Sequence, residues 1–272
     1  MTGTTFLYGR HVHANGIRQH VLRYGGHGPA LLLVPGITSP AVTWGFVAER
    51  LGRHFDTWVL DVRGRGLSES GEHLDYGLDA CADDVLALIR AQDLHQVILV
   101  GHSMGGRHGI RAVKRGGADS RIAHLIMVDP PVSGPGRRAY PSAWPWYEDS
   151  IRECQQGIDA ERMRHYCATW SEEQLRLRAE WLHTCDLRAI RTSYDGFHQD
   201  DVHADLPALT GIRTGLMVAG RGDVILPEDE AELREQLPDL RISRAPDAGH
   251  MIPWDDLEGF FRALSELLDQ PL

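Results

Sequence analysis

The sequence predicts an α/β fold: a mostly parallel central sheet flanked by helices. Three observations predict it. Short apolar runs without alternation, such as Ala30-Leu31-Leu32-Leu33-Val34, read as strands buried on both faces. Segments with helical spacing separate these runs, so the connections are crossovers and neighbouring strands run parallel. The length of 272 residues fits one large α/β domain, or one such domain with an insertion.

In chain order, the first element is a hairpin. Phe6 to His13 and Arg18 to Tyr24 flank Asn15-Gly16, the strongest short hairpin-turn signal. Ala30 to Val34 is the third strand, with Pro35-Gly36 after it. Thr57 to Leu60 ends at Asp61, and Gln96 to Val100 ends at Gly101. Between them, Asp79 to Arg90 has helical spacing, with Val85, Leu88 and Ile89 on one stripe. Ala123 to Val128, Thr214 to Val218 and Leu240 to Arg244 are the later strands, and Leu257 to Leu268 is an amphipathic helix.

One stretch breaks the rhythm. From Ser133 to about Pro207 no strand pattern appears. It opens with Gly134-Pro135-Gly136 and a Pro/aromatic cluster (Tyr140, Pro141, Trp144, Pro145, Trp146, Tyr147). Helical segments follow over roughly Glu161 to Trp170 and Ser171 to Thr184. Such an insertion after the sixth strand reads as a helical cap over the strand ends. The expected division is a core of residues 1–132 and 208–272 and a cap of 133–207.

Composition narrows the function. Hydrophobic content of 42% and charged content of 24% are those of an ordinary globular chain. A net charge of −10 gives the wrong long-range field for nonspecific nucleic-acid binding, so no nucleic-acid partner is expected. No apolar run approaches the roughly 20 residues of a membrane span, and Met1 to Gly26 lacks the apolar stretch of a signal peptide. Cys81, Cys154, Cys167 and Cys185 show no CxxC spacing, so free thiols and a cytoplasmic location are the economical reading. No HExxH or clustered ligand set appears, so no metal is expected. The sequence carries no signal for oligomeric state.

Gly101-His102-Ser103-Met104-Gly105 matches G-x-S-x-G, with Gly106 behind it. A buried strand runs into it and a helix pattern runs out, the setting of a nucleophile elbow. The serine sits on a strained turn that neighbouring glycines allow to close. Ser103 is the expected nucleophile, and the N–H of Met104, at a helix N-terminus, an expected oxyanion donor. The loop Val34-Pro35-Gly36-Ile37-Thr38-Ser39 offers the second donor at Ile37 N–H, although Thr38 or Ser39 could instead cap the next helix. His250, in Asp247-Ala248-Gly249-His250-Met251, stands between the last strand and the last helix, where a general base belongs. His102 adjoins the nucleophile but its side chain points away, so it reads as structural. Two aspartates compete for the triad acid. Asp223 follows a strand in Gly220-Arg221-Gly222-Asp223, and Asp129 ends the preceding one at Asp129-Pro130-Pro131. Spacing alone favours Asp223.

Taken together, Val34-Pro35-Gly36, Asp61-Val62-Arg63-Gly64-Arg65-Gly66-Leu67-Ser68, Gly101 to Gly106 and Ala248-Gly249-His250 resemble the α/β-hydrolase superfamily along nearly the whole chain. The resemblance implies the α/β-hydrolase fold, with the helical cap inserted after the sixth strand. Many members carry His-Gly where this chain has Pro35-Gly36. A closer resemblance is to the deformylases acting on N-formylmaleamate in aerobic nicotinate degradation. It rests on Val34 to Pro40, Asp129 to Pro141, Ala168-Thr169-Trp170-Ser171 and Gly249 to Trp254. It implies a serine hydrolase that releases formate and maleamate through a formyl-enzyme, without a cofactor. It also implies Asp129 as the acid, with Asp223 as the alternative. The substrate is then a small molecule with a carboxylate, and a local cation must hold it against the chain's own charge. Arg107, one helical turn past Ser103, is the first choice, with Arg137, Arg138 and the cap arginines behind it. Ser39 and Trp146 are further substrate contacts, and Trp144, Tyr147 and Trp170 could wall the same pocket or form the cap's own core. The rival readings are a carboxylesterase or lactonase, a C–C hydrolase of ring-cleavage products, and a non-catalytic ligand receptor on the same fold.

Overall fold

Asn15 and Gly16 turn the chain with φ of 53° and 73°, the left-handed pair a two-residue hairpin requires. They join β1 (Phe6–Ala14) to β2 (Ile17–Tyr24). The apolar runs become β3 (Ala30–Val34), β4 (Asp56–Asp61), β5 (Val97–His102), β6 (Ile122–Val128), β7 (Arg213–Ala219) and β8 (Arg241–Ala245). This computed structural model describes residues 3–272. Its eight strands form one sheet in the order β1-β2-β4-β3-β5-β6-β7-β8. β1, β2 and β4 pair antiparallel, and every pair from β4–β3 to β7–β8 is parallel. Leu31, Leu32, Leu33, Leu99 and Leu125 are wholly buried, which is why these runs show no alternation.

Helices cover the sheet. α1 (Gly45–Leu51) precedes β4, and α2 (Leu78–Ala91) precedes β5. Val85, Leu88 and Ile89 of α2 are buried as their spacing requires. Asp84 lies on the same face and is held by Arg63 in a two-pronged pair, Nε to Oδ2 and Nη2 to Oδ1, each at 2.6 Å. α3 (Met104–Gly116) leaves the end of β5, with Lys114 and Arg115 in its last turn where the helix dipole favours cations.

Between β6 and β7 the chain is helical, though not where the sequence placed every helix. The Pro/aromatic cluster forms the start of α4 (Trp144–Gln155). Pro145 sits in the first turn, where its missing N–H costs no hydrogen bond. α5 is short, Ala160–Met163, and does not extend to Trp170 as expected. After it, Thr169 Oγ1 donates to Asp255 at 2.8 Å and Trp170 stacks on Trp254, drawing the segment out of helical register. α6 (Glu172–Trp181) starts on a Ser171/Gln174 capping box and runs into a 3-10 turn at Leu182–Thr184, close to the expected span. α7 (Leu187–Gln199) is absent from the sequence reading. Gly196 and Ser193 lower its intrinsic propensity, and burial of Ala189, Ile190 and Phe197 decides it.

The chain closes with α8 (Pro227–Gln236), α9 (Ile252–Asp255) and α10 (Leu257–Leu268), whose Phe260, Phe261 and Leu264 are buried against the sheet edge at β8. All four cysteines are buried and unpaired. Among the described residues no helix is long and apolar enough to cross a membrane.

Asp61, buried at the end of β4, fixes three segments. It accepts from the N–H of Ala41 at 2.6 Å, from the N–H of Leu67 at 3.1 Å and from His20 Nδ1 at 2.7 Å. Asp61→Ala leaves these donors in the interior without a partner. It is expected to lower the free energy of unfolding by about 3–5 kcal/mol in urea titrations. A loss within the ±0.5 kcal/mol or so of an ordinary surface change would refute this role.

Candidate active site

The elbow after β5 is built by contact of backbone on backbone. A Cβ at Gly101 would lie 2.3 Å from Gly105 O, and one at Gly105 would lie 2.0 Å from Val34 O. No side-chain carbon fits at either place. The turn forces Ser103 to φ 52°, ψ −118°, a strained conformation for a residue with a Cβ. Its N–H donates to Val128 O at 2.8 Å, tying the elbow to β6.

Ser103 Oγ faces His250 Nε2 at 3.0 Å, and His250 Nδ1 lies 2.7 Å from Asp129 Oδ2. Asp129 is 1% exposed, and its Oδ1 accepts from Ala219 N at 3.2 Å. A carboxylate only accepts, so Nδ1 of the imidazole carries the proton and Nε2 is left to take one from Ser103. Asp129 also has positive φ, 46°. Asp223 is not part of this line. It is exposed on the loop after β7, where its backbone carbonyl accepts from Arg138 at 3.0 Å. Spacing alone favours Asp223, but the carboxylate hydrogen-bonded to His250 is that of Asp129. Asp129 at the end of β6 reaches His250 directly, and a Cβ on Gly222 of the loop after β7 would lie 3.6 Å from both Asp129 Oδ2 and His250 N.

His102, next to Ser103, borders the cavity and braces His250. Its Nε2 donates to the His250 carbonyl at 3.0 Å, and its ring packs against Trp44. Burial first, then the His250 charge, pushes it down to about 3, so it stays neutral. Ile37 N–H and Met104 N–H donate to no protein acceptor among the described residues. The next peptide, Ile37–Thr38, is held by buried Arg65, whose Nε donates to the Ile37 carbonyl at 3.1 Å. Neither Thr38 nor Ser39 caps the following turn, Ala41–Trp44, whose cap residue is Pro40.

Ser103 and His250 open into a cavity of about 370 Å³. Ile37, Thr38 and Ser39 form one side of it. Residues 140–178 form the opposite side, with Tyr140, Trp146, Tyr147, Trp170 and Arg178 in the wall. Trp144 is not in this wall; its Nε1 donates to Glu148 at 2.6 Å. The sequence reading assigned Tyr140 no role, yet its hydroxyl lies 3.5 Å from His250 Nε2 and accepts from Tyr147 at 3.3 Å. Burial holds both phenols above their ordinary range, so they remain hydrogen-bond donors.

Arg107 does not reach the cavity. It is 2% exposed and spends its guanidinium on four carbonyls: Pro131 and Ser133 from Nη1, Gly196 and Asp200 from Nη2, at 2.9 to 3.0 Å. Burial pushes it down to about 10, still charged at neutral pH. Helical spacing after Ser103 is right for the cavity, but the carbonyls ending α7 turn the side chain under the site instead. Arg137 and Arg138 are likewise taken, by Glu232 and by Asp229. Among the described residues no group of three or more His, Cys, Asp or Glu is placed to hold a metal ion.

Residues 31–263 match the alpha/beta hydrolase family. The chain is 61% identical to N-formylmaleamate deformylase of Pseudomonas putida (strain KT2440) over 269 residues, 99% of each chain. A crystal structure of the N-formylmaleamic acid deformylase of Pseudomonas putida S16, a serine-to-alanine variant, superposes with TM-score 0.91 at 56% identity, covering 95% of this chain and 100% of that one. An enol-lactonase from Burkholderia xenovorans LB400 shares the fold, with TM-score 0.75 at 18% identity, over 96% of this chain and 100% of that one.

Two outcomes are expected. Arg107→Gln strands buried carbonyls, so it should cost about 3 kcal/mol or more of stability in urea titrations, while KM of the surviving folded enzyme changes little. A selective rise in KM at unchanged stability would return Arg107 to the substrate. The second concerns pH. His102 and His108 are pushed down to about 3 from an ordinary 6.5, chiefly by burial. The unfolded chain binds protons at both sites as pH falls below 6.5 and the native state does not, so stability is lost from there towards pH 3. Denaturation midpoints should therefore fall steadily with pH across this window, and a flat profile would contradict the burial of both rings.

Proposed function

The chain belongs to the alpha/beta hydrolase family, and on that premise we infer that it hydrolyses the formyl C–N bond of N-formylmaleamate to maleamate and formate. Its full-length likeness to the Pseudomonas putida deformylase carries this reading. The hydrogen-bonded line Ser103–His250–Asp129 supplies the chemistry.

Ser103 Oγ attacks the formyl carbon as His250 Nε2 takes its proton. The imidazolium that forms is stabilised by the buried Asp129 carboxylate, which also keeps the ring from turning. The oxyanion is received by the N–H groups of Ile37 and Met104, the second at the positive end of α3. Collapse of the intermediate breaks the C–N bond, and His250 returns its proton to the departing nitrogen. That nitrogen is imide-like and departs more readily than a simple amine. A formyl-enzyme on Ser103 remains. His250 then deprotonates water, which attacks the formyl carbon; formate leaves and the serine recovers its proton. The transferred acyl group carries only hydrogen, so the aromatic wall of Trp146 and Trp170 serves the maleamyl chain. Ser39 lies beside the same chain. Residues 133–207 act as the cap that excludes water, and we place the reaction in the cytoplasm, where unpaired cysteines are the expected state. The partners of this acidic chain are small molecules rather than nucleic acid.

Formate release from N-formylmaleamate tests the reading. Ser103→Ala should abolish it, by about 10⁴-fold or more. Asp129→Asn should lose roughly 10³- to 10⁴-fold in kcat, and Asp223→Asn should stay near wild type. Brisk turnover of a simple ester or enol-lactone without formate release from the wild type would keep the hydrolase and discard the substrate.

A further inference from the structure

A net charge of −10 repels an anionic substrate at a distance, so recognition of its carboxylate falls to a cation inside the cavity. Among the described residues Arg178 is the one arginine or lysine in the cavity wall. It is 3% exposed, and no carboxylate of the described chain lies within ion-pair distance of it. The other buried arginines are spoken for. Arg63 is paired with Asp84, and Arg65 and Arg107 are each surrounded by four or more acceptors.

Arg178 has spare donors. Its Nη1 donates to Thr38 O at 3.2 Å and its Nη2 to Thr38 Oγ1 at 3.1 Å. Nε is buried with no partner. A guanidinium has five N–H bonds, so more than half of this one is unspent in a place closed to most water. An unpaired buried cation is unfavourable until an anion joins it. Trp146 and Trp170 each place a ring centroid 5.5 Å from the guanidinium carbon, which holds the planar head in orientation. Asp255 also borders the cavity, but its oxygens are occupied by Thr169 Oγ1 at 2.8 Å and Gly249 N at 3.0 Å.

We propose that Arg178 is the carboxylate anchor of this site and determines its preference for an acid over a neutral amide. The proposal rests on the deformylase reading and deepens it. Thr38, which accepts from Arg178, directly follows Ile37. The group that holds the acid end of the substrate, on α6, is therefore hydrogen-bonded to the residue next to the group that receives its formyl oxygen. Binding at Arg178 sets how far the formyl carbon reaches towards Ser103 Oγ. A ligand for this subsite is a short acyl chain ending in a carboxylate.

The test compares N-formylmaleamate with its carboxamide analogue, in which the carboxylate is replaced by a neutral amide, on wild type, Arg178→Gln and Arg178→Lys. Wild type should prefer the acid by about 10- to 100-fold in kcat/KM, the factor a charge-assisted hydrogen bond supplies. Arg178→Gln should bring the ratio close to one, mainly through KM for the acid, and Arg178→Lys should fall between. An undiminished ratio in a folded Arg178→Gln enzyme overturns the proposal. No formate from either substrate in the wild type overturns the deformylase reading instead. If Arg178→Gln does not fold, a crystal structure of the wild type with maleamate decides the matter. A carboxylate oxygen within hydrogen-bond distance of the guanidinium supports the anchor, and a carboxylate seated elsewhere refutes it.

Discussion

Val34 O comes so close to Gly105 that a side-chain carbon there would lie 2.0 Å away. This contact of β3 with the start of α3, together with that of Gly101 on Gly105, sets the geometry on which the site depends. It bends the chain sharply enough to give Ser103 a positive φ. It presents the serine at the carboxyl end of the sheet, and it starts α3 directly behind the serine. Strain of this kind costs of order 1–3 kcal/mol per residue and persists only where packing over-determines it. Asp129, also at positive φ, carries a second share at the end of the adjacent strand. The two strained residues are joined through His250, so the hydrogen-bonded line spans two strand ends and one loop.

The loops of the site are held by buried charge. Asp61 gathers the N–H groups of Ala41 and Leu67, Arg65 grips the carbonyl of Ile37, and Arg107 collects four carbonyls beneath α3. Each forms hydrogen bonds to backbone, so loop segments without a regular ladder still have partners for their peptide groups. His102 extends the pattern as a neutral donor to the carbonyl of His250. In this company Arg178 differs, because it holds Thr38 and keeps donors in reserve at the cavity. Arginines that look alike in sequence thus differ in whether the surrounding acceptors use up the guanidinium.

Much of the molecule could be read without coordinates. Buried strands announce themselves as apolar runs, because a strand covered on both faces has no polar side to alternate with. The hairpin, the elbow and His250 are local patterns, each confined to a few residues whose types are dictated by a turn or a strand end. The helices between β6 and β7 were harder. α4 hid in a Pro/aromatic cluster, because a proline in the first turn resembles a breaker on paper. α7 hid behind Gly196, whose low propensity is overridden by burial of Ile190 and Phe197. Contact with Trp254 ended the helical register after α5, an interaction with no local trace.

By itself the sequence determined the parallel sheet, the sharp turn that carries Ser103 and the loop that carries His250, because these follow from side-chain period and from backbone clashes between near neighbours. Only the tertiary structure separates Asp129 from Asp223, since both follow strand ends and just one, Asp129, places its carboxylate on His250 Nδ1. It also decided which arginine lines the cavity. Arg107 has the right helical spacing, but long-range carbonyls claim it, whereas Arg178 is brought to the cavity by a helix far along the chain. An arginine side chain is long and flexible, and its partners, not its position in the sequence, fix where its charge comes to rest.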